Sequence, residues 1–202
     1  MLKTPVLVIL RGIQESHLPG LMQSLINASI DTVEITMNTP NAEVLIQRLS
    51  ELSNNRLSVG AGTVLTPAQL DKALYAGSEF IVTPVVNTEV IAKCVDRGVP
   101  IFPGAFTPTE VWQAWNAGAT MVKVFPAGAF GPKYLKELKG PLNDIKLMAV
   151  SGVKPQNAKE FFLNGASAVA VGGSIFSIER LKNEDYPAIE NELKELINNI
   201  SQ

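Results

Sequence analysis

The chain has 202 residues, of which 17 are Lys or Arg and 19 are Asp or Glu, giving a formal net charge of −2 at pH 7. Its 46% hydrophobic content excludes disorder as the main state, and its 18% of charged residues, below the ~25% usual for soluble domains, points to a large interior, a buried oligomer face, or both. One cysteine, Cys94, excludes an internal disulfide or a cysteine-built metal cluster, and one histidine, His17, leaves Ser-His-Asp triads, two-His metal sites and histidine bases a single residue to pass through.

The opening apolar stretch, Lys3–Leu10, is broken by Arg11, too soon for a signal-peptide core. No run reaches the ~18–20 residues that cross a bilayer, so a cytoplasmic location without a membrane partner is the expectation. Near-neutral charge without a basic run argues equally against nucleic acid as a partner. Within that first stretch Val6–Leu10 reads as a strand, and Leu18, Leu21, Met22, Leu25 and Ile26 follow at helical spacing, with His17 a surface residue at the helix start. Further β-branched apolar runs come at Thr32–Thr36, Leu57–Ala61, Phe80–Thr83, Val99–Phe102, Thr120–Phe125, Lys146–Val150 and Ala168–Val171. Helix starts are expected at Thr39-Pro40, Thr66-Pro67, Thr107-Pro108 and Lys154-Pro155, three of them behind a capping Thr. Cys94, in the helical stretch Val90–Val95, reads as a small packing residue, and Ile189, Leu193, Leu196, Ile197 and Ile200 form a last helical stripe.

Strand and helix patterns alternate from end to end with no linker-like shift, which predicts one domain over residues 1–202. Eight βα units at roughly 25 residues each fit a compact (β/α)8 TIM barrel without large insertions. The competing arrangement is an open doubly wound sheet, which ordinarily carries a glycine fingerprint after its first strand. Here that position holds Arg11-Gly12-Ile13, and the barrel is the favoured reading.

Catalytic groups of such barrels sit at the C-terminal ends of the strands, on residues that point inward. Thr32, Glu34 and Thr36 share one face of the second strand while Val33, Ile35 and Met37 share the other, which aims a carboxylate at the barrel mouth. Lys123 shares a face with Met121 and Phe125, so its amine has apolar neighbours. Desolvation there would lower its pKa and favour the nucleophilic amine, as in Schiff-base lysines; the alternative is a packed stem whose ammonium reaches water. For Glu34 the alternative is a structural ion pair, with Lys123 itself as one partner to consider. Arg11 and Thr63, each ending a strand, offer charge and hydrogen bonds to a carboxylate, although Arg11 reads equally as a surface cation. Gly152, Gly172, Gly173 and Ser174 follow the last two strands, where barrels bind phosphate through backbone N–H groups; simple tight turns explain glycines there as often.

Seven segments in order, Ile9-Leu10-Arg11-Gly12-Ile13, Val33-Glu34-Ile35-Thr36, Gly60-Ala61-Gly62-Thr63-Val64-Leu65, Val82-Thr83-Pro84, Phe102-Pro103-Gly104, Val122-Lys123-Val124-Phe125-Pro126-Ala127 and Gly172-Gly173-Ser174, resemble the 2-keto-3-deoxy-6-phosphogluconate aldolase family. That family includes a 2-keto-3-deoxy-6-phosphogalactonate branch and enzymes that also cleave 4-hydroxy-2-oxoglutarate. The resemblance runs from Val6 to about Phe176. It implies a class I aldolase with no metal and no cofactor, Lys123 as Schiff-base lysine and Glu34 as acid/base carboxylate. It further implies Arg11, Thr63, Pro84 and Phe125 around the pyruvate carboxylate, and Gly152, Val153, Gly172, Gly173 and Ser174 around a phosphate. The implied partners are a phosphorylated keto acid, pyruvate and two further copies of the chain in a homotrimer, with Trp112, Trp115, Phe161 and Phe162 as helix-borne contact points. A phosphate-binding barrel isomerase or synthase and a non-catalytic sugar-phosphate binder are the other readings. Branch markers are mixed: Asn38 stands where the phosphogluconate enzymes usually have an arginine, Arg11, the Met37-Asn38-Thr39-Pro40 segment and Val150 resemble the phosphogalactonate type, and Gly172-Gly173-Ser174 resembles the phosphogluconate type. Ser151-Gly152 stands where the family usually has Gly-Gly, a substitution that would strain a left-handed loop position. The C4 epimer stays open, with the balance towards a bifunctional or phosphogalactonate-like activity.

Overall fold

A computed structural model describes residues 3–201. Its strands are β1 (Val6–Leu10), β2 (Thr32–Thr36), β3 (Ser58–Gly62), β4 (Ile81–Val82), β5 (Ile101–Phe102), β6 (Gly104–Ala105), β7 (Val122–Val124), β8 (Leu147–Val150) and β9 (Ala166–Val171). Every pairing is parallel, in the order β5-β4-β3-β2-β1-β9-β8-β7-β6. The two ends of that order are halves of one stretch of chain, separated only by Pro103, which has no N–H to give a ladder. On one side the stretch accepts Ile81 N–H at the Pro100 carbonyl (2.9 Å) and Thr83 N–H at Phe102 (3.3 Å); on the other the Pro103 carbonyl accepts Lys123 N–H (2.9 Å). The ring is therefore closed, and the fold is a TIM barrel of eight strands whose fifth is interrupted. The sequence reading ends that strand at Phe102, whereas the structure carries it past Pro103 into the Gly104–Ala105 half that completes closure.

Strand residues alternate between two cores. Val6, Val8, Val33, Ile35, Val122 and Val124 pack outward under the helices, whereas Leu7, Phe80, Phe102, Met121, Met148 and Ala168 fill the barrel. Around it lie α1 (Leu18–Asn27), α2 (Ala42–Ser53), α3 (Pro67–Tyr75), α4 (Thr88–Asp96), α5 (Pro108–Asn116), α6 (Pro132–Lys139), α7 (Ala158–Leu163), α8 (Ile178–Lys182) and α9 (Tyr186–Ser201). The terminal stripe behaves as its spacing implies: Ile189, Leu193 and Leu196 are fully buried, with Ile197 and Ile200 packed partly against the core. No helix among the described residues is long and apolar enough to cross a membrane.

Two of the four expected helix starts are as read. Thr66 accepts Gln69 N–H (3.2 Å), and Thr107 accepts Glu110 N–H (3.3 Å) while Glu110 accepts Thr107 N–H in return (2.8 Å), a full capping box. The other two begin later. α7 starts at Ala158, because Asn157 turns its side chain back to accept Lys154 N–H (2.8 Å). α2 starts at Ala42 behind Asn41 in the left-handed region (φ 58), which leaves the Thr39 hydroxyl free of capping. His17 caps α1 and its Nδ1 accepts Gln14 N–H (3.1 Å); Cys94 is fully buried, which pushes its thiol up to about 11. Of the four aromatic contact candidates only Trp112 is well exposed; Phe161 is a core residue, and Trp115 and Phe162 rest partly against the core.

Candidate active site

Glu34 points into the barrel from the middle of β2, between Ile9 of β1 and Gly60 of β3, and is 1% exposed. Space for it is made by one glycine of β3, and a second makes room for Phe80. A Cβ at Gly62 would collide with Glu34 Oε1, and one at Gly60 would enter the Phe80 ring. Glu34 Oε2 is buried without a hydrogen-bond partner. Burial pushes the Glu34 carboxyl up to about 7, against the pull of the Lys123 and Arg11 charges. Gly62→Ala should therefore displace the carboxylate: steady-state kinetics are expected to show a loss of ~10²-fold, the usual cost of a misplaced catalytic group, with the far-UV spectrum unchanged.

Lys123 faces Glu34 from β7, across the barrel. It is 6% exposed, so its amine is not a solvated strand-end cation, and its Nζ stands 5.0 Å from the centroid of the Phe125 ring. Burial lowers its pKa; Glu34 opposes that shift and Arg11 adds to it. Among the described residues no ion pair within 4.0 Å joins Lys123 to Glu34. The two interact through space, with room between them. Beside Lys123 in register is Gly104, whose missing Cβ lets the half-buried Pro84 approach with its backbone. Pro84 and Phe125 thus flank the lysine.

Arg11 and Gly12 form the turn leaving β1. Arg11 is exposed, makes no ion pair within 4.0 Å among the described residues, and lies near enough for its charge to act on both Glu34 and Lys123. Thr63, directly after the Gly62 that shelters Glu34, is held in the left-handed region (φ 56) between two loop bonds, Met37 N–H to the Gly62 carbonyl (2.7 Å) and Val64 N–H to the Val82 carbonyl (3.2 Å). A non-glycine residue there carries strain of about 1–2 kcal/mol, the kind found where structure serves a ligand.

The last two loops meet at the same mouth. Ser151 (φ 78) and Gly152 (φ 75) are both left-handed, so serine takes up the strained loop position itself. A Cβ on Gly152 would come within 2.6 Å of Gly128 Cα, where the loop after β7 approaches. Ser174 Oγ donates to the Val153 carbonyl (3.4 Å), and the Gly172 carbonyl accepts N–H from Ile175 and Phe176 (2.9 Å each). Gly173 is open on its outer side. The loops carrying Gly152, Val153, Gly172, Gly173 and Ser174, which follow β8 and β9, are thereby joined to each other. Sequence reading missed the roles of Gly62 and Gly128 here; the glycine-rich run before Thr63 was the one visible signal.

A cavity of about 490 Å³ opens at the opposite end, where β2 to β5 begin. Several of its polar groups are already engaged: Asp31 accepts from Thr4 N–H (3.1 Å) and Thr32 Oγ1 (2.6 Å), Glu79 from Ser58 Oγ (2.8 Å), and Arg56 Nε donates to the Ser53 carbonyl (3.0 Å).

Residues 1–192 match the family model described as KDPG and KHG aldolase. The chain belongs to the KDPG and KHG aldolase family. It is thereby an enzyme of the lyase class. It is 38% identical over 183 residues to the 2-dehydro-3-deoxy-6-phosphogalactonate aldolase of Escherichia coli (strain K12), covering 88% of this chain and 89% of that protein. A solved structure described as native KDPGal superposes with a TM-score of 0.93 at 33% identity, over 100% of this chain and 96% of that one. A KDPG aldolase from Legionella pneumophila, solved with pyruvate captured as a covalent carbinolamine intermediate, superposes at 0.88 with 26% identity, over 96% and 94%. For a KDPG and KHG aldolase, the arrangement of one buried amine and one buried carboxyl across a barrel mouth is chemically sufficient for making and breaking an imine.

Proposed function

We propose that this chain is a class I aldolase that cleaves a 2-keto-3-deoxy-6-phospho sugar acid to pyruvate and glyceraldehyde 3-phosphate. The observation that carries the reading is the buried Lys123, its pKa lowered, facing a buried Glu34 whose Oε2 has no hydrogen-bond partner. Lys123 attacks the C2 ketone to give a carbinolamine, and protonated Glu34 supplies the proton with which its hydroxyl leaves as water. The resulting iminium is the electron sink. Ionised Glu34 then takes the C4 hydroxyl proton, the C3–C4 electrons move to the iminium nitrogen, and the aldehyde departs. Protonation of the enamine at C3 and hydrolysis of the imine release pyruvate and restore Lys123. Arg11 and Thr63 hold the substrate carboxylate, Pro84 and Phe125 wall the C2 end, and the joined loops at Gly152, Val153, Gly172, Gly173 and Ser174 hold the phosphate and contribute remote binding energy.

The galactonate-type epimer is favoured, with 4-hydroxy-2-oxoglutarate as a second substrate. Val150, buried and apolar at the end of β8, supports that preference, as does the likeness to the phosphogalactonate enzyme. A lactate dehydrogenase-coupled assay on the two C4-epimeric phosphorylated acids and on 4-hydroxy-2-oxoglutarate tests the proposal. Pyruvate release is expected from both phosphorylated acids, faster from the galactonate type; no pyruvate from any of the three would overturn the proposed substrates. The assembly proposed is a homotrimer, with the exposed Trp112 on α5 as one contact. Light scattering is expected to give the mass of three chains, and a monomer would contradict it.

A further inference from the structure

Thr39 looks, by sequence, like the cap of a helix that in fact begins three residues later. It is 4% exposed, and its backbone is already tied on both sides, N–H to the Thr36 carbonyl (2.8 Å) and carbonyl to Ala42 N–H (3.2 Å). Its hydroxyl lies between two further groups. It accepts the Gly12 N–H at 3.0 Å and stands 3.0 Å from the fully buried Thr36 Oγ1. Thr36 is two residues beyond Glu34 on the same inward face of β2. One buried hydroxyl chain thus connects the Arg11-Gly12 turn of β1 to the face that carries Glu34.

Little else holds the outer part of that turn. Gly12 sits at φ +66 with open space where a Cβ would be, and the Arg11 side chain is exposed with no ion pair within 4.0 Å among the described residues. Ile13, buried, seats the chain only one residue further on. We propose that Thr39 is a positioning residue for Arg11, its hydroxyl fastening the β1 turn to the end of β2 so that the guanidinium is fixed where a substrate carboxylate meets it. The fastening follows from the hydrogen bonds; the carboxylate it serves rests on the aldolase reading above.

Thr39→Val keeps the side-chain shape and removes the hydroxyl, whereas Thr39→Ser keeps the hydroxyl and removes the methyl. Three quantities are read: hydrogen exchange at the Gly12 amide in ligand-free protein, the pyruvate concentration giving half-maximal borohydride trapping on Lys123, and kcat against KM. For Thr39→Val about tenfold faster exchange and about tenfold higher half-saturating pyruvate and KM are expected, the scale of one hydrogen bond, with kcat within about threefold. Thr39→Ser should stay within about twofold of the parent in all three. Should Thr39→Val fail to fold, Thr39→Ala carries the same comparison. Unchanged exchange at Gly12 overturns the fastening, and faster exchange with unchanged pyruvate saturation overturns the role for Arg11. Equal losses in the Val and Ser variants make Thr39 a packing residue only and overturn the proposal too. A parent protein that traps no pyruvate sinks the aldolase reading instead, and is recognised as such because the failure then precedes any substitution.

Discussion

Borohydride added to the protein in saturating pyruvate is expected to fix one reduced pyruvyl group on Lys123, and Lys123→Ala to abolish both that adduct and at least ~10³-fold of turnover, as deletion of a covalent nucleophile does. The physical basis is the lysine's setting. An exposed ammonium is protonated at neutral pH almost without exception and cannot attack a ketone; burial on the inner face of β7 disfavours the charged form and frees the amine. The loss should be the same whichever C4 epimer is offered, because the attack is on C2. Lys123→Arg, which keeps the charge but offers no nucleophile, should fail equally. Mass spectrometry of the reduced protein decides the matter: an adduct on another lysine, or none, would reject the assignment.

Glu34→Gln is expected to lower kcat by ~10²–10⁴-fold, the range for removal of a general acid–base group, and to remove a limb near pH 7 from the kcat profile. With its carboxyl near 7, both protonation states are available at neutral pH, as a group that first gives and later takes a proton requires. The same substitution should stabilise the fold. The carboxyl titrates near 4.5 when unfolded and near 7 when folded, so between those values the folded protein binds more protons, and its stability falls as pH rises through that window. Glutamine has no such charge to bury. Above pH 7 the variant should exceed the parent by on the order of 3 kcal/mol, with the gap closing as pH falls towards 4.5. Urea melts at pH 8 and pH 5 measure this. A variant less stable than the parent at pH 8 would mean that Glu34 serves as a structural ion partner of Lys123. The expected gain would mark a carboxylate kept for activity at the expense of stability.

Much of this site was legible in the chain because side-chain direction in a strand has a period of two. Glu34 with Thr32 and Thr36, and Lys123 with Met121 and Phe125, were assigned to inward faces from alternation alone, and the barrel places them there. Thr39-Pro40 misled for a physical reason. A threonine hydroxyl bonds whichever N–H comes within reach, and local sequence cannot show that the Gly12 amide, distant in the chain, lies nearer than those of α2. Phe161 misled likewise, since a short helix pattern does not say which aromatic turns to the sheet.

By itself the sequence determined the strand and helix alternation, the inward faces and, through seven ordered segments, the family. Tertiary structure alone decided that the fifth strand runs on past Pro103 to close the ring, and that β2 and β7, with β1, β9 and β8 between them on one side, face each other across it. It also decided that Glu34 and Lys123 stand apart by more than a direct ion pair, under shared burial that moves both pKa values. The reason is that a periodic pattern fixes direction within an element, whereas distance and desolvation depend on which elements meet, and that is set only when the ring closes.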